Sequence, residues 1–184
     1  GVMKALANTV SPQGILAVVP FVELAPPPGP SLVLIVDGLR DPGNLGSILR
    51  SANAAGVEQV ILAPKTVDPY NPKVVRGAMG AHFRLPTAAL GWPEIAETLA
   101  GVQVLLADAR GGQIYYEVDW TKPSALIIGG EAHGSSREAR ELAAAAIAIP
   151  MHSGAESLNA AVAASVILFE AARQRRGEGV LING

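Results

Sequence analysis

The chain has no cysteine, which excludes disulfides, thiolate zinc sites and cysteine nucleophiles and points to a cytosolic location. Aromatic residues make up only 4% of it, so the core must be built from small aliphatic side chains. That favours α/β packing over an all-β sandwich. No apolar run is long enough to span a bilayer, and the N-terminus lacks the charged-then-apolar plan of a signal peptide, so no membrane partner is expected. There is no surplus of basic charge either. At a formal net charge of -2, contact with nucleic acid has to come from local basic clusters or from another domain. His82, His133 and His152 share no ligand spacing and no H-E-x-x-H occurs, so no metal site is expected.

What is present is a chain of 184 residues, 49% apolar, enough for one domain of ordinary size. Residues 1–30 read as a lead-in, polar and extended over 1–14 and stiffened by "APPPGP" before residue 31. The folded domain is expected over 31–184, with the chain beginning inside a linker.

"SLVLIVDG" (31–38), "QVILA" (59–63), "VQVLLAD" (102–108), "SALIIGG" (124–130) and "AIAIP" (146–150) read as buried strands. Between them, Leu45, Ile48, Leu49, Ala52 and Ala55 fall at helical spacing with Gly56 as a stop signal. "NPKVVRGAMGAHFRLP" predicts a short helix, a glycine break and a small strand. "WPEIAETLAG" and "SSREARELAAA" predict two further helices, and residues from about 156 to 176 the last one. Strands alternating with helices give a mostly parallel sheet covered on both faces, whose ligands sit beyond the strands' C-terminal ends.

Three loops follow strands and open helices: "DGLRDPGNLGSILR", "GGEAHGSS" and "PMHSGAESLN". The second has phosphate-loop glycine spacing without the lysine, and there is no G-x-G-x-x-G. A nucleotide hydrolase is not expected, although a mononucleotide binder would use that loop. In the first, Asn44 reads as a helix cap and Arg50 as either a snorkelling surface charge or a guanidinium held at a pocket rim. In the third, Ser153 and Glu156 have capping-box spacing, which leaves Ser157 and Asn159 unexplained. Leu158, Ala161, Val162, Ser165, Phe169 and Ala172 form an apolar stripe behind them. "AESLN" is not a G-x-S-x-G elbow, so hydrolase chemistry is not expected.

In order and spacing, Asn44 through Arg50, Gly129 through Gly134 and Ile149 through Asn159 resemble the three motifs of the SpoU (TrmH) family, RNA ribose 2′-O-methyltransferases of the SPOUT superfamily. "VVRGAMGAHFRLP" and "EAARQR" are similar to its middle segment and its C-terminal helix end, so the likeness covers residues 31–176. Ala78 and His133 depart from its commoner residues. The resemblance implies a parallel α/β sheet with a C-terminal deep trefoil knot, S-adenosylmethionine as cofactor, an RNA substrate and a homodimer. Ribosomal RNA, probed first as 23S, ranks above transfer RNA, because "SPQGILAVV" resembles the linker of two-domain ribosomal-RNA members. A separate N-terminal RNA-binding domain is implied as well.

By position, the resemblance makes Asn44, Arg50, Glu131, Ser157 and Asn159 catalytic. It makes Asp108, Gly129, Gly130, Ile149, Met151 and Leu158 cofactor-binding. Arg50 is implied as the group that receives or relays the hydroxyl proton. Because a guanidinium stays protonated, it would act with a substrate phosphate or polarise the 2′-oxygen. Arg40, Lys73, Arg76 and Arg84 are candidates for a phosphate-binding rim. The rival from another class is a non-catalytic knotted RNA-binding protein.

Overall fold

Strand β1 (Leu32–Asp37) is buried along its whole length. Its side chains divide by alternation: Leu32, Leu34 and Val36 enter one apolar layer, Val33 and Ile35 another. A strand walled on both sides belongs inside a parallel sheet with helices on each face. The computed structural model describes residues 15, 17–130, 134–152 and 157–176, and it has that architecture. The other strands are β2 (Gln59–Leu62), β3 (Thr87–Ala89), β4 (Gln103–Ala107), β5 (Gln113–Ile114), β6 (Ser124–Gly129) and β7 (Ala145–Ala148). They form one sheet in the order β3-β2-β1-β6-β4-β7-β5, with every pairing parallel.

Helices α1 (Pro42–Ala55) and α2 (Pro72–Ala78) pack on one face, and α3 (Trp92–Thr98) and α4 (Arg137–Leu142) on the other. The last helix, α5 (Ala160–Arg176), returns to the face of α1. Expected and observed elements differ mainly at their ends. β7 stops at Ala148, leaving Ile149 and Pro150 beyond the strand. The two-residue β5 and the 3-10 turn Tyr115–Glu117 carry no periodic signal of their own. That segment is anchored by Trp120, which is fully buried and donates through Nε1 to the Tyr115 carbonyl at 2.8 Å. No helix among the described residues is long and apolar enough to cross a membrane.

Two helix starts correct the sequence reading. The cap of α1 is Asp41, whose Oδ1 accepts from the Asn44 amide at 2.8 Å, with Pro42 following it. Asn44 therefore lies inside the first turn with its side chain released from capping. The last helix begins at Ala160, later than the expected 156. Asn159 Oδ1 accepts from the amides of Ala161 at 2.9 Å and Val162 at 3.3 Å, so Asn159 is its cap. The expected capping-box pair, Ser153 and Glu156, lies outside the described residues.

The buried stripe of α5 also differs from the expected one. Ala160, Ala161, Ala164, Ile167, Leu168, Ala171 and Ala172 are buried, while Val162 and Phe169 are each 48% exposed. The helix is apolar nearly all round, so periodicity alone could not choose a face. Contact with α1 selects the alanines, and Ser165 Oγ donates to Ser51 Oγ at 2.8 Å across the seam. At the far end, Arg175 donates to the Ser31 hydroxyl and carbonyl and to the Lys122 carbonyl, each at 2.7 Å. This ties the end of α5 to the segments that lead into β1 and β6. Burial lowers the Arg175 pKa, against the pull of the Glu58 carboxylate.

The sheet order contains one unusual connection. Ala107 at the end of β4 and Gln113 at the start of β5 both pair with Ile147 of β7, from opposite sides. Residues 108–112 must therefore cross over one face of β7 at Ile147, a path that connections between sheet neighbours normally avoid. The Asp108 amide donates to the Ile147 carbonyl at 3.0 Å, and the turn is closed by Gly111 N to Asp108 O at 2.9 Å. A Cβ on Gly111 would lie 2.5 Å from the Ile147 carbonyl carbon, whereas one on Gly112 would meet nothing within 4 Å.

Gly111→Ala should therefore destabilise the fold by on the order of 1–3 kcal/mol, as overpacking against backbone does. Gly112→Ala should stay within about 0.5 kcal/mol of the parent. Paired denaturant titrations check this, and equal midpoints for the two variants would contradict the crossing.

Candidate active site

The C-terminal ends of β4, β6 and β7 and the N-terminal turns of α5 enclose a cavity of about 500 Å³. That lies within the roughly 300–1,000 Å³ range of small-molecule sites. Asp108, Gly129, Gly130, Ile149, Met151 and Leu158, the six positions expected to meet a cofactor, all line it. So do Ser157 and Asn159 from the expected catalytic set. Three segments far apart in sequence thus converge because parallel strands place all their following loops at one rim.

Each wall has a local cause. The Asp108 side chain is oriented by accepting from the Arg110 amide at 2.8 Å through Oδ1. It stands at the point where residues 108–112 begin to cross β7. Gly129 ends β6, and Gly130 forms an isolated antiparallel bridge with Gly134, which pinches the base of the second loop. Ile149 and Met151 follow β7, and Leu158 precedes α5. The floor is apolar, with Ile128, Ile147 and Ile167 beneath the polar rim. Among the described residues Asp108 is the one carboxylate that lines the cavity, and no cation lines it.

Asn159 performs two tasks at the mouth. Its Oδ1 caps α5, while its Nδ2 donates to Asn44 Oδ1 at 3.1 Å. This bond joins the first and third loops. It also accounts for one of the two polar residues that capping by Ser153 and Glu156 left without a role. Ser157, the other, is exposed at the cavity mouth.

Arg50 is not brought to this cavity. It is exposed on α1, six residues beyond Asn44, which places it about 9 Å further along the axis and roughly 120° around it. Of its two sequence readings, the solvent-facing one describes its position within a single chain. Glu131 and His133 lie outside the described residues. Among the described residues no cluster of His, Cys, Asp or Glu could hold a metal.

Of the expected basic rim, Lys73 lies beside the first loop. Its Nζ would be 4.0 Å from a Cβ on Gly43, beside the start of α1. It is brought there because α1 and α2 cross at bare backbone, a Cβ on Gly46 falling 2.9 Å from the Gly77 Cα. Arg40, Arg76 and Arg84 are exposed. Sequence reasoning missed Ala107, Ala109, Ser135, Ala163 and Ile167 as lining residues. Ala163 and Ile167 were accessible in principle, since they stand one and two turns after Asn159 on the same helix face. Ala107 and Ala109 have no side-chain chemistry that marks them, whereas Ser135, a hydroxyl directly after Gly134, is signalled by its place in the glycine-rich loop.

Comparison with known proteins agrees with this geometry. The family model described as SpoU rRNA Methylase matches residues 31–169. The chain is 38% identical over 179 residues to a tRNA/rRNA methyltransferase of Synechocystis, covering 95% of this chain and 65% of that protein. It is 36% identical to the 23S rRNA (guanosine(2553)-2′-O)-methyltransferase RlmP of Bacillus subtilis, covering 90% and 67%. Among solved structures, the SpoU methyltransferase AviRb of Streptomyces viridochromogenes, in complex with AdoMet, superposes with a TM-score of 0.77 at 37% identity, over 82% of this chain and 60% of that one. The chain spans roughly half to two-thirds of the length of the first curated relatives it matches. With its parallel sheet, its rim cavity and a family match that covers most of its length, the chain belongs to the SpoU rRNA methylase family.

Proposed function

We propose that this chain carries out S-adenosylmethionine-dependent methylation of a ribose 2′-hydroxyl in RNA, with 23S ribosomal RNA as the substrate class. The observation that carries the reading is the rim cavity, lined by all six cofactor-binding positions and by two of the catalytic ones. Its chemistry suits the cofactor. Ile128, Ile147, Ile149 and Leu158 offer apolar walls for an adenine, and the fixed Asp108 carboxylate can accept from ribose hydroxyls or an amino group. Bound there, the cofactor would supply an electrophilic methyl group on a sulfonium.

The residues of the chain then have to seat the nucleophile and manage one proton. Asn44 and Asn159, linked at 3.1 Å, present fixed amide groups at the mouth and orient the ribose. Ser157 adds a hydroxyl beside them. Positioning of this kind can contribute about 7–11 kcal/mol in favourable cases. Arg50, held cationic, polarises the 2′-oxygen or works with a substrate phosphate that takes the proton. Since it is exposed in one chain, it reaches the reacting group only in an assembly with RNA or with a second copy.

A homodimer is the assembly we propose. Leu158, Val162 and Phe169 fall on one side of α5 and its approach, and all three are substantially exposed. The crossing of residues 108–112 over β7 supports reading this end of the chain as the trefoil knot the family resemblance implies.

The primary test is tritium transfer from labelled S-adenosylmethionine to 23S rRNA, alongside calorimetry of cofactor binding. Binding without transfer would favour the non-catalytic reading, and tighter binding of ATP than of S-adenosylmethionine the mononucleotide one. Arg50→Ala should lower kcat by about 10²–10³-fold, the usual range for removing one donor that stabilises a developing oxyanion, while cofactor affinity stays unchanged. Near-normal turnover would remove Arg50 from the mechanism. Asn159→Asp keeps an equally good helix cap and deletes the donor to Asn44. Its melting temperature should hold while turnover falls, and a parallel fall in both would reduce Asn159 to a structural residue. Replacing Val162 and Phe169 together by Glu should convert a dimer to a monomer in sedimentation analysis. An unchanged sedimentation coefficient would place the dimer contact elsewhere.

A further inference from the structure

A second cavity, of about 640 Å³, lies on the other side of the Gly130–Gly134 bridge. Gly130, Gly134 and Ser135 line both cavities, so the partition between them is nearly bare backbone. A Cβ on Gly130 would fall 2.7 Å from the Gly38 carbonyl oxygen, which shows how closely the first and second loops approach. Of the site residues expected from the sequence, Arg40 and Gly130 line this second space.

Its wall combines two cations, an aromatic ring and two carboxylates. Arg40 and Lys65 are exposed at its edge, and the half-buried Trp92 forms one side. The cations are carried on a braced platform. Thr66 Oγ1 donates to the Val36 carbonyl at 3.0 Å and accepts from the Gly38 amide at 3.1 Å. The Val67 amide donates to the Leu39 carbonyl at 2.8 Å, and Leu39, next to Arg40, is fully buried. Lys65 itself is held at a φ of 70°, a left-handed backbone that costs a non-glycine residue energy and persists only where its surroundings enforce it.

The two carboxylates differ in role. Asp37 is 3% exposed, and its Oδ2 accepts from the Ser136 amide at 2.6 Å, so it joins β1 to the start of α4. Glu138 is exposed on the α4 side. It repels a phosphate there and leaves the Arg40 and Lys65 edge as the place for one. A π-face, two cations at one edge and an acceptor at the other are the features that nucleotide recognition uses.

We infer that the second cavity holds a nucleotide of the RNA substrate that flanks the one being methylated, its base against Trp92 and its phosphate on Arg40 and Lys65. This rests on the RNA-directed reading above. It makes the partition a spacer: the reacting ribose stands at one side of the Gly130–Gly134 bridge and its neighbour at the other. The site would then set which stretch of RNA can place a ribose at the first cavity.

The test uses protein-free 23S rRNA in filter binding, with calorimetry of S-adenosylmethionine as the second readout. Trp92→Leu keeps an apolar side chain in the packed position and should weaken RNA binding by roughly 5- to 100-fold, the range for loss of one stacked base. Trp92→Phe should restore most of it. The double variant Arg40→Ala with Lys65→Ala should reduce the slope of log K against log salt by roughly one per charge removed. Cofactor affinity should be unchanged in every variant. Because Trp120 is fully buried, quenching of tryptophan emission by RNA should come from Trp92 and vanish in Trp92→Phe. Wild-type RNA affinity and salt slope in these variants would overturn the assignment while leaving the methyltransferase reading intact. A loss of cofactor binding equal to the loss of RNA binding would also overturn it. A parent chain that binds no RNA would overturn this assignment, and transfer of the labelled methyl group would still decide the methyltransferase reading on its own.

Discussion

The contact of residues 108–112 with β7 governs the active end of this protein. Two sequence neighbours, β4 and β5, are separated in the sheet by a strand that arrives much later, and the short connection between them has to pass over Ile147. Only a residue without a side chain fits at Gly111, because the approach is backbone against backbone. The crossing leaves Asp108 at the rim with its carboxylate oriented, and it holds Ile147 beneath the cavity and Ile149 beside it. Cavity wall and chain crossing are thus built from the same few residues. A change that loosened one would deform the other.

The polar groups at the mouth show a similar economy. A helix start leaves unpaired amides, and two of those at α5 are satisfied by Asn159. Its amide nitrogen remains available and goes to Asn44, on a helix capped by a different residue, Asp41. Capping and site assembly are therefore not competing explanations of Asn159. The side chain has both an acceptor and a donor end, and the structure uses each for one purpose. An aspartate could serve the first purpose and not the second.

The sheet also explains why two cavities lie side by side. Parallel strands send their following loops to one rim, and the loops after β1, β2, β4, β6 and β7 crowd there. Where two of them meet at Gly38 and Gly130, a Cβ on Gly130 would strike the Gly38 carbonyl oxygen. The backbone ridge left between them divides the rim into an apolar chamber with one carboxylate and a second chamber edged with cations. Among the described residues the second chamber sets two cations, Arg40 and Lys65, beside two carboxylates, Asp37 and Glu138, where the first has Asp108 alone.

By itself the sequence determined the class of fold, because short β-branched runs such as "LVLIV" are apolar at every position, as a strand buried on both faces requires, and they alternate with helical patterns. It also located the three loops, and the family resemblance those loops carry named six of the positions that line the first cavity. Tertiary structure decided the rest. Val162 and Phe169 share a helix with the alanines and are as apolar, yet α1 packs against the alanines because small side chains allow closer approach. Asn44 and Asn159 are 115 residues apart, and no local window encodes their meeting. The crossing at Gly111, the outward position of Arg50 and the second cavity depend likewise on which segments pass each other in space. Periodicity reports how one segment is buried, and it is silent on what buries it.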